Sequence, residues 1–181
     1  MESKLVFQYT LKEMERGQGF FDDGSLRIDF ETTNDSNPLS DLLKAMISIV
    51  QTPSHLWDEE NSAVIEWYCE SYILLIDISS ADGKMLNINI TKTAGPFGEE
   101  IETQSINEEI LLTDFYLIII KELDQLIKAK GLLNYIQMWK QDEFPLTYFL
   151  TLKKYLINWK IWIPDTVDSD ILESEFMMIL A

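Results

Sequence analysis

The chain has 181 residues and carries 31 Asp and Glu against 14 Lys and Arg, a net charge of −17 and a sequence pI near 4.2. So negative a surface repels nucleic acid and anionic lipid, while it attracts basic proteins and speeds their encounter. Hydrophobic residues make up 46 % and aromatics 12 %, too apolar for a disordered chain, and the length suits one domain that needs no disulfide or metal to stay folded.

In chain order, Leu5 to Leu11 is rich in β-formers and alternates, which predicts a strand. Gly17, Gly19 and Gly24 read as a loop, with Asp22-Asp23-Gly24 as its turn signal. Leu26, Ile28 and Phe30 alternate with Arg27, Asp29 and Glu31, a half-buried strand expected to pair with the first as a hairpin. Asn37 can cap a helix with Pro38 at its first position; Leu39, Leu42, Leu43, Met46, Ile47 and Val50 follow at helical spacing, and Pro53 ends it.

A β-rich block follows. Ala63 to Cys69 and Tyr72 to Ser79 read as strands around a Glu70-Ser71 turn, and Asp82-Gly83 is the best hairpin signal in the chain. Leu86, Ile88 and Ile90 then alternate with Asn87 and Asn89. Ala94 to Gly98 is a loop, and Glu100 to Ile106 reads as a polar edge strand. A helix opens at Thr113 or Asp114, with apolar positions from Leu112 to Ile127, and Gly131 stops it. Leu132 to Trp139 gives a short second helix and Pro145 to about Asn158 a third, with Trp159 to Pro164 irregular. In the tail, Asp165 to Ala181, Asp170 and Glu173 resemble a capping box, and Leu172, Phe176, Ile179 and Leu180 share a face. The expected fold is α+β: an antiparallel sheet of hairpins with helices on one face, mainly from the C-terminal third. Residues 1–164 form the domain and residues 165–181 an acidic amphipathic tail docked on it.

Catalytic chemistry finds few residues to use. His55 is the only histidine and Cys69 the only cysteine, so zinc sites built on several His or Cys are excluded, and any Ser-His or Cys-His catalysis would need His55. Cys69 reads as a buried structural thiol, and the lack of a second cysteine points to a reducing, cytoplasmic setting. Residues 1–5 show no secretory signal, and the longest apolar run of the second half, Phe115 to Ile120, is far short of the roughly twenty residues a membrane span needs. Gly17-Gln18-Gly19 lacks the third glycine and the strand-to-helix setting of a dinucleotide fingerprint, and no phosphate loop occurs. The stripe Tyr135, Trp139, Phe149, Trp159 and Trp162 reads as core, because base-stacking aromatics sit in positive grooves. No cofactor is implied.

The densest acids are Asp22-Asp23 and Asp58-Glu59-Glu60, the latter beside Trp57. An aromatic next to carboxylates can seat a Lys or Arg by charge and cation–π contact together, so Trp57, Asp58, Glu59 and Glu60 with Asp22 and Asp23 are the candidate partner-binding residues. Two stretches carry a resemblance. One is Pro38-Leu39-Ser40-Asp41-Leu42-Leu43 followed by Trp57-Asp58-Glu59-Glu60 and a hairpin with an aromatic strand; the other is Gly131, Tyr135 and Trp139, then Phe144-Pro145 before a final helix. In these the chain resembles bacterial immunity proteins of polymorphic or contact-dependent toxin systems, and departs from them in the polar stretch from Thr91 to Gln104 and in its acidic tail. The resemblance implies a cytoplasmic protein that neutralises a toxin, and supplies no site residues. The expected function is therefore a non-catalytic module that binds a basic protein, with no nucleic-acid or membrane partner. A carboxylate-dependent hydrolase or metal enzyme, and a structural or oligomer-forming protein, are the alternatives.

Overall fold

A computed structural model describes residues 4–12, 15–33, 36–51, 61–95, 101–140, 142–164 and 169–181. The fold is α+β, and it divides its strands between two antiparallel sheets. Sheet A is formed by β1 (Val6–Lys12), β2 (Arg16–Asp22) and β3 (Arg27–Thr32) in that order. Sheet B is formed by β4 (Asn61–Tyr68), β5 (Tyr72–Ser80), β6 (Met85–Ala94) and β7 (Gln104–Leu111), also in chain order. Five helices complete it: α1 (Pro38–Gln51), α2 (Leu112–Lys130), α3 (Leu132–Trp139), α4 (Leu146–Asn158) and α5 (Asp170–Leu180).

The segment around Gly17 and Gly19 is β2, the central strand of sheet A, rather than a loop, so the strands read as one hairpin each pair with β2 instead of with each other. The register shows why glycine is needed there. Gly19 lies between Tyr9 and Phe30, and Gly17 between Leu11 and Thr32. A Cβ on Gly19 would sit 1.8 Å from the Gln8 carbonyl oxygen and 2.8 Å from the Phe30 ring; one on Gly17 would sit 2.1 Å from Tyr9 Oη. The rings of Tyr9 and Phe30 fill the space that the glycines leave open, their centroids 6.3 Å apart.

Each sheet buries one phase of its alternation. Sheet A turns Phe7, Tyr9, Leu11, Phe21, Ile28 and Phe30 inward, and sheet B turns Trp67, Leu74, Ile76, Ile78, Ile88 and Ile90 inward. These positions form one hydrophobic cluster with the buried faces of the helices. Trp67 joins the parts: it is fully buried, meets the Phe30 ring edge-on at 5.1 Å and donates from Nε1 to the Pro38 carbonyl at 3.1 Å. α1 starts as the sequence predicts, with Asn37 Oδ1 accepting from the Ser40 amide. α2 is held to α1 where the Tyr116 hydroxyl donates to the Met46 carbonyl. It is held to α4 by Asp124, whose buried carboxylate takes Lys128 Nζ at 2.9 Å and Lys153 Nζ at 2.5 Å.

Gly131, with φ of 76°, separates α2 from α3. The carboxylate of Glu175 on α5 accepts from the amides of Leu132 and Leu133 at 2.7 and 2.8 Å and so caps α3 from a different helix. The N-cap of α5 is Ser169, whose Oγ accepts from the Leu172 amide and donates to the Lys128 carbonyl, so the helix begins one residue before the position read as its capping box. Of the aromatic stripe, Tyr135, Trp139 and Phe149 are buried, whereas Trp159 and Trp162 lie at the periphery. No helix among the described residues is long and apolar enough to cross a membrane.

Candidate functional site: two outward sheet faces

Strand alternation fixes what each sheet shows on the face turned away from the core. On sheet B the outward phase runs through Glu66 and Tyr68 of β4, Asp77 and Ser79 of β5, Asn87, Asn89 and Thr91 of β6, and Ser105, Asn107 and Glu109 of β7. Pairing places Asp77, Asn89 and Asn107 in one row across three strands, and Ser79, Asn87 and Glu109 in the next. A shallow groove of about 380 Å³ lies over these two rows. No lysine or arginine of the four strands falls in this phase. Thr91, Ser105 and Asn89 are tied together, with Asn89 Oδ1 accepting from Thr91 Oγ1 at 2.7 Å and from Ser105 Oγ at 3.1 Å. The carboxylates keep their acceptor capacity: Glu66 takes one hydrogen bond, from Tyr68 Oη at 2.5 Å, which pushes the Tyr68 phenol above its ordinary value. Val64, Tyr68 and Leu111 stand exposed at the border. Acceptors with no cation of the same strands among them, bordered by exposed apolar groups, suit a surface that receives donors carrying positive charge.

Sheet A is different. Its outward phase carries both arginines of the chain. Arg16 Nη1 reaches Glu31 at 2.6 Å, with Lys12 beside it, and these cations hold Glu31 below the usual carboxylate range. Arg27 stacks on Phe20 at 3.7 Å and binds Asp29 through Nε and Nη2 at 2.9 and 2.7 Å. Two side chains of sheet B close the side: Tyr72 Oη accepts from the Glu31 amide at 2.7 Å, and Lys92 donates to the Asp29 carbonyl at 2.8 Å while lying 4.1 Å over the Tyr72 ring.

The acids singled out from the sequence have separate fates. Asp22 ends β2 and Asp23 opens the β2–β3 turn, where Asp22 Oδ1 accepts from the Gly24 amide and Asp23 Oδ1 accepts from Ser25 N, Ser25 Oγ and Leu26 N, all at 2.7 Å. For Asp23 a burial cost is outweighed by the Leu26 and Ser25 donors, which leaves its pKa lowered. These carboxylates shape the turn, the role short acidic side chains take in Asx-turns. Trp57, Asp58, Glu59 and Glu60, and His55 with them, lie outside the described residues. Cys69 follows β4 and is only partly buried; burial pushes its thiol up to about 11, so it is protonated and a poor nucleophile at neutral pH. Acids in runs are visible in the sequence, whereas Glu66, Asp77 and Glu109 are single acids on separate strands that only strand pairing brings onto one face. The signal was present in Asn87 and Asn89 on β6, where the polar phase of a hairpin strand contains no base.

Compared with family models, curated proteins and solved structures, the chain matches none.

Proposed function

We propose that the chain is a non-catalytic binding module for a basic protein, and that it acts as an inhibitor of the immunity type. The observation that carries the proposal is the outward face of sheet B, where Glu66, Asp77 and Glu109 stand among asparagines and hydroxyls with no cation of the same strands to neutralise them. A net charge of −17 adds a long-range field that draws a cationic partner toward this face. The shallow groove on this face is lined by β5, β6 and β7 alone, with no wall from another element, and such an open face favours a partner surface over a small substrate.

Expressed with an affinity tag in its native background and crosslinked there, the chain should capture a protein of pI above roughly 9. The double reversal Asp77→Lys with Glu109→Lys should abolish capture. A neutral or acidic partner, or capture that survives the reversal, refutes the proposed surface. The narrower inhibitory role is tested by co-expression with the product of the adjacent gene: growth rescued by the chain and lost with the reversal supports it, and growth unaffected by the chain's presence refutes it.

A further inference from the structure

The open cleft on the outward face of sheet A has a volume of about 430 Å³, within the range of roughly 300–1,000 Å³ typical of small-molecule sites. Its floor is two rows of the register, Gln8, Phe20 and Asp29 in one and Thr10, Gln18 and Glu31 in the other. Tyr72 and Lys92 of sheet B form its wall.

Three observations define what it can hold. First, its charges balance in number, Arg27 and Lys92 against Asp29 and Glu31, and each is already engaged: Arg27 by Asp29, Glu31 by Arg16 at the edge, and Lys92 by the Asp29 carbonyl and the Tyr72 ring. A charged ligand would have to compete with the Arg27–Asp29 and Arg16–Glu31 pairs and with the contacts that hold Lys92. Second, the groups left over are neutral. The side chains of Gln8, Thr10 and Gln18 make no hydrogen bond to another described residue, and so offer two primary amides and a hydroxyl with donor and acceptor capacity. Third, both edges of sheet A are engaged. β3 gives the Glu31 amide to Tyr72 and the Asp29 carbonyl to Lys92, and β1 gives the Tyr9 amide to Glu122 Oε1 at 3.0 Å. An extended peptide adds to a sheet through a free edge, so this sheet is poorly disposed to take one.

We propose that this cleft is a binding site for a neutral, hydroxyl-rich small molecule, a saccharide unit. Sugar hydroxyls donate and accept at once, which matches primary amides, and planar guanidinium, carboxylate and amide groups held rigidly around them orient the ring. The site is separate from the acidic face of sheet B and does not depend on it.

The test is to follow the side-chain amide signals of Gln8 and Gln18 in nitrogen–proton correlation spectra of the full chain. Maltose, lactose, mannobiose and diacetylchitobiose are titrated singly to about 50 mM, with a neutral polyserine peptide as the competing class. The expected result is saturable movement of both amide signals with at least one disaccharide. Gln18→Ala and, independently, Gln8→Ala should each weaken that binding roughly fivefold or more, the loss expected of one hydrogen bond, while the remaining spectrum stays unchanged. Silence from all four sugars overturns the proposal. So does movement with the peptide alone, or sugar binding that both alanine variants leave intact.

Discussion

The two sheets bury their inner faces by the same rule and expose their outer faces by opposite ones. On sheet A, Arg27 sits on Asp29 and Arg16 on Glu31, so the face is neutral, internally bonded and preorganised. On sheet B, Asp77 and Glu109 stand among amides with no base in the same strand phase. The difference shows that a charge of −17 is a poor guide to any one surface. Positive charge is concentrated where it closes a cleft and withheld where a broad face is left acidic. Binding to sheet B should therefore weaken strongly with salt, whereas binding to sheet A should respond little.

The largest effect is expected where the two regions meet. Trp67→Ala removes a fully buried indole from between Phe30 and Pro38 and should lower stability by about 4 kcal/mol. Urea unfolding followed by near-UV and far-UV signals should show one transition, shifted in midpoint. Two separated transitions in the parent would mean that the sheets are independent units and that Trp67 does not join them. Next comes a pair of glycines, one in sheet A and one in the sheet B turn. Gly19→Ala drives a Cβ into the Gln8 carbonyl of a paired strand, which cannot move aside, and should cost about 3 kcal/mol. Gly83→Ala meets no atom within 4 Å and suffers only its φ of 70°, a cost of about 1 kcal/mol. Equal costs for the two would contradict the close packing at Gly19.

Smaller in stability but decisive for the comparison are the charges. Asp77→Lys with Glu109→Lys should leave the unfolding free energy within about 0.5 kcal/mol of the parent, since both are surface positions on the solvent phase. Together with the loss of capture, the same change should slow whatever association with a basic partner remains by about tenfold or more at low salt, and by much less at high salt. Arg27→Gln, on the opposite sheet, should leave that association unchanged. A stopped-flow rate that responds equally to both would show that only total charge matters.

How much of this could be read from the sequence depended on whether one strand phase was apolar. β1, β3 and β6 alternate visibly, as with Leu86, Ile88 and Ile90, and were legible. β2 was not, because its inward phase at positions 17 and 19 is glycine; the missing side chains are supplied by Tyr9 and Phe30 from the neighbouring strands, and no local pattern records that. β7 was legible only in part. Glu108 stands between the inward residues Ile106 and Ile110, which breaks the alternation and hid the strand's second half up to Leu111. The helices were clear from their periodicity, and the Asn37 and Gly131 boundaries from local chemistry. The division into two sheets was not legible, since it rests on the long-range meeting of Trp67 with Phe21 and Phe30. Of the candidate site, the Asp22-Asp23 pair was recognised as a turn signal and also offered as a docking point. Three bonds to one oxygen of Asp23 favour the first role.

The smallest predicted effect concerns the edge of sheet A. Glu122 on α2 accepts the Tyr9 amide, yet burial raises its pKa more than that hydrogen bond lowers it. A raised folded pKa means that the unfolded chain ionises first as pH increases. The stability linked to this carboxyl is thus fully present below the ordinary carboxylate pKa and is lost as pH rises through the raised one. Gln in place of Glu keeps an acceptor oxygen for Tyr9 and removes the ionisation. Glu122→Gln should therefore stabilise the chain at pH 7 by a few tenths of a kcal/mol, a small gain because the carboxylate is half exposed and screened. The gain should shrink toward zero below pH 4. Thermal melts of parent and variant between pH 4 and pH 7 decide it. A variant less stable than the parent at pH 7 would show that β1 is held by the charge on Glu122 and not only by its oxygen, because a charged acceptor binds the Tyr9 amide more strongly than a neutral one.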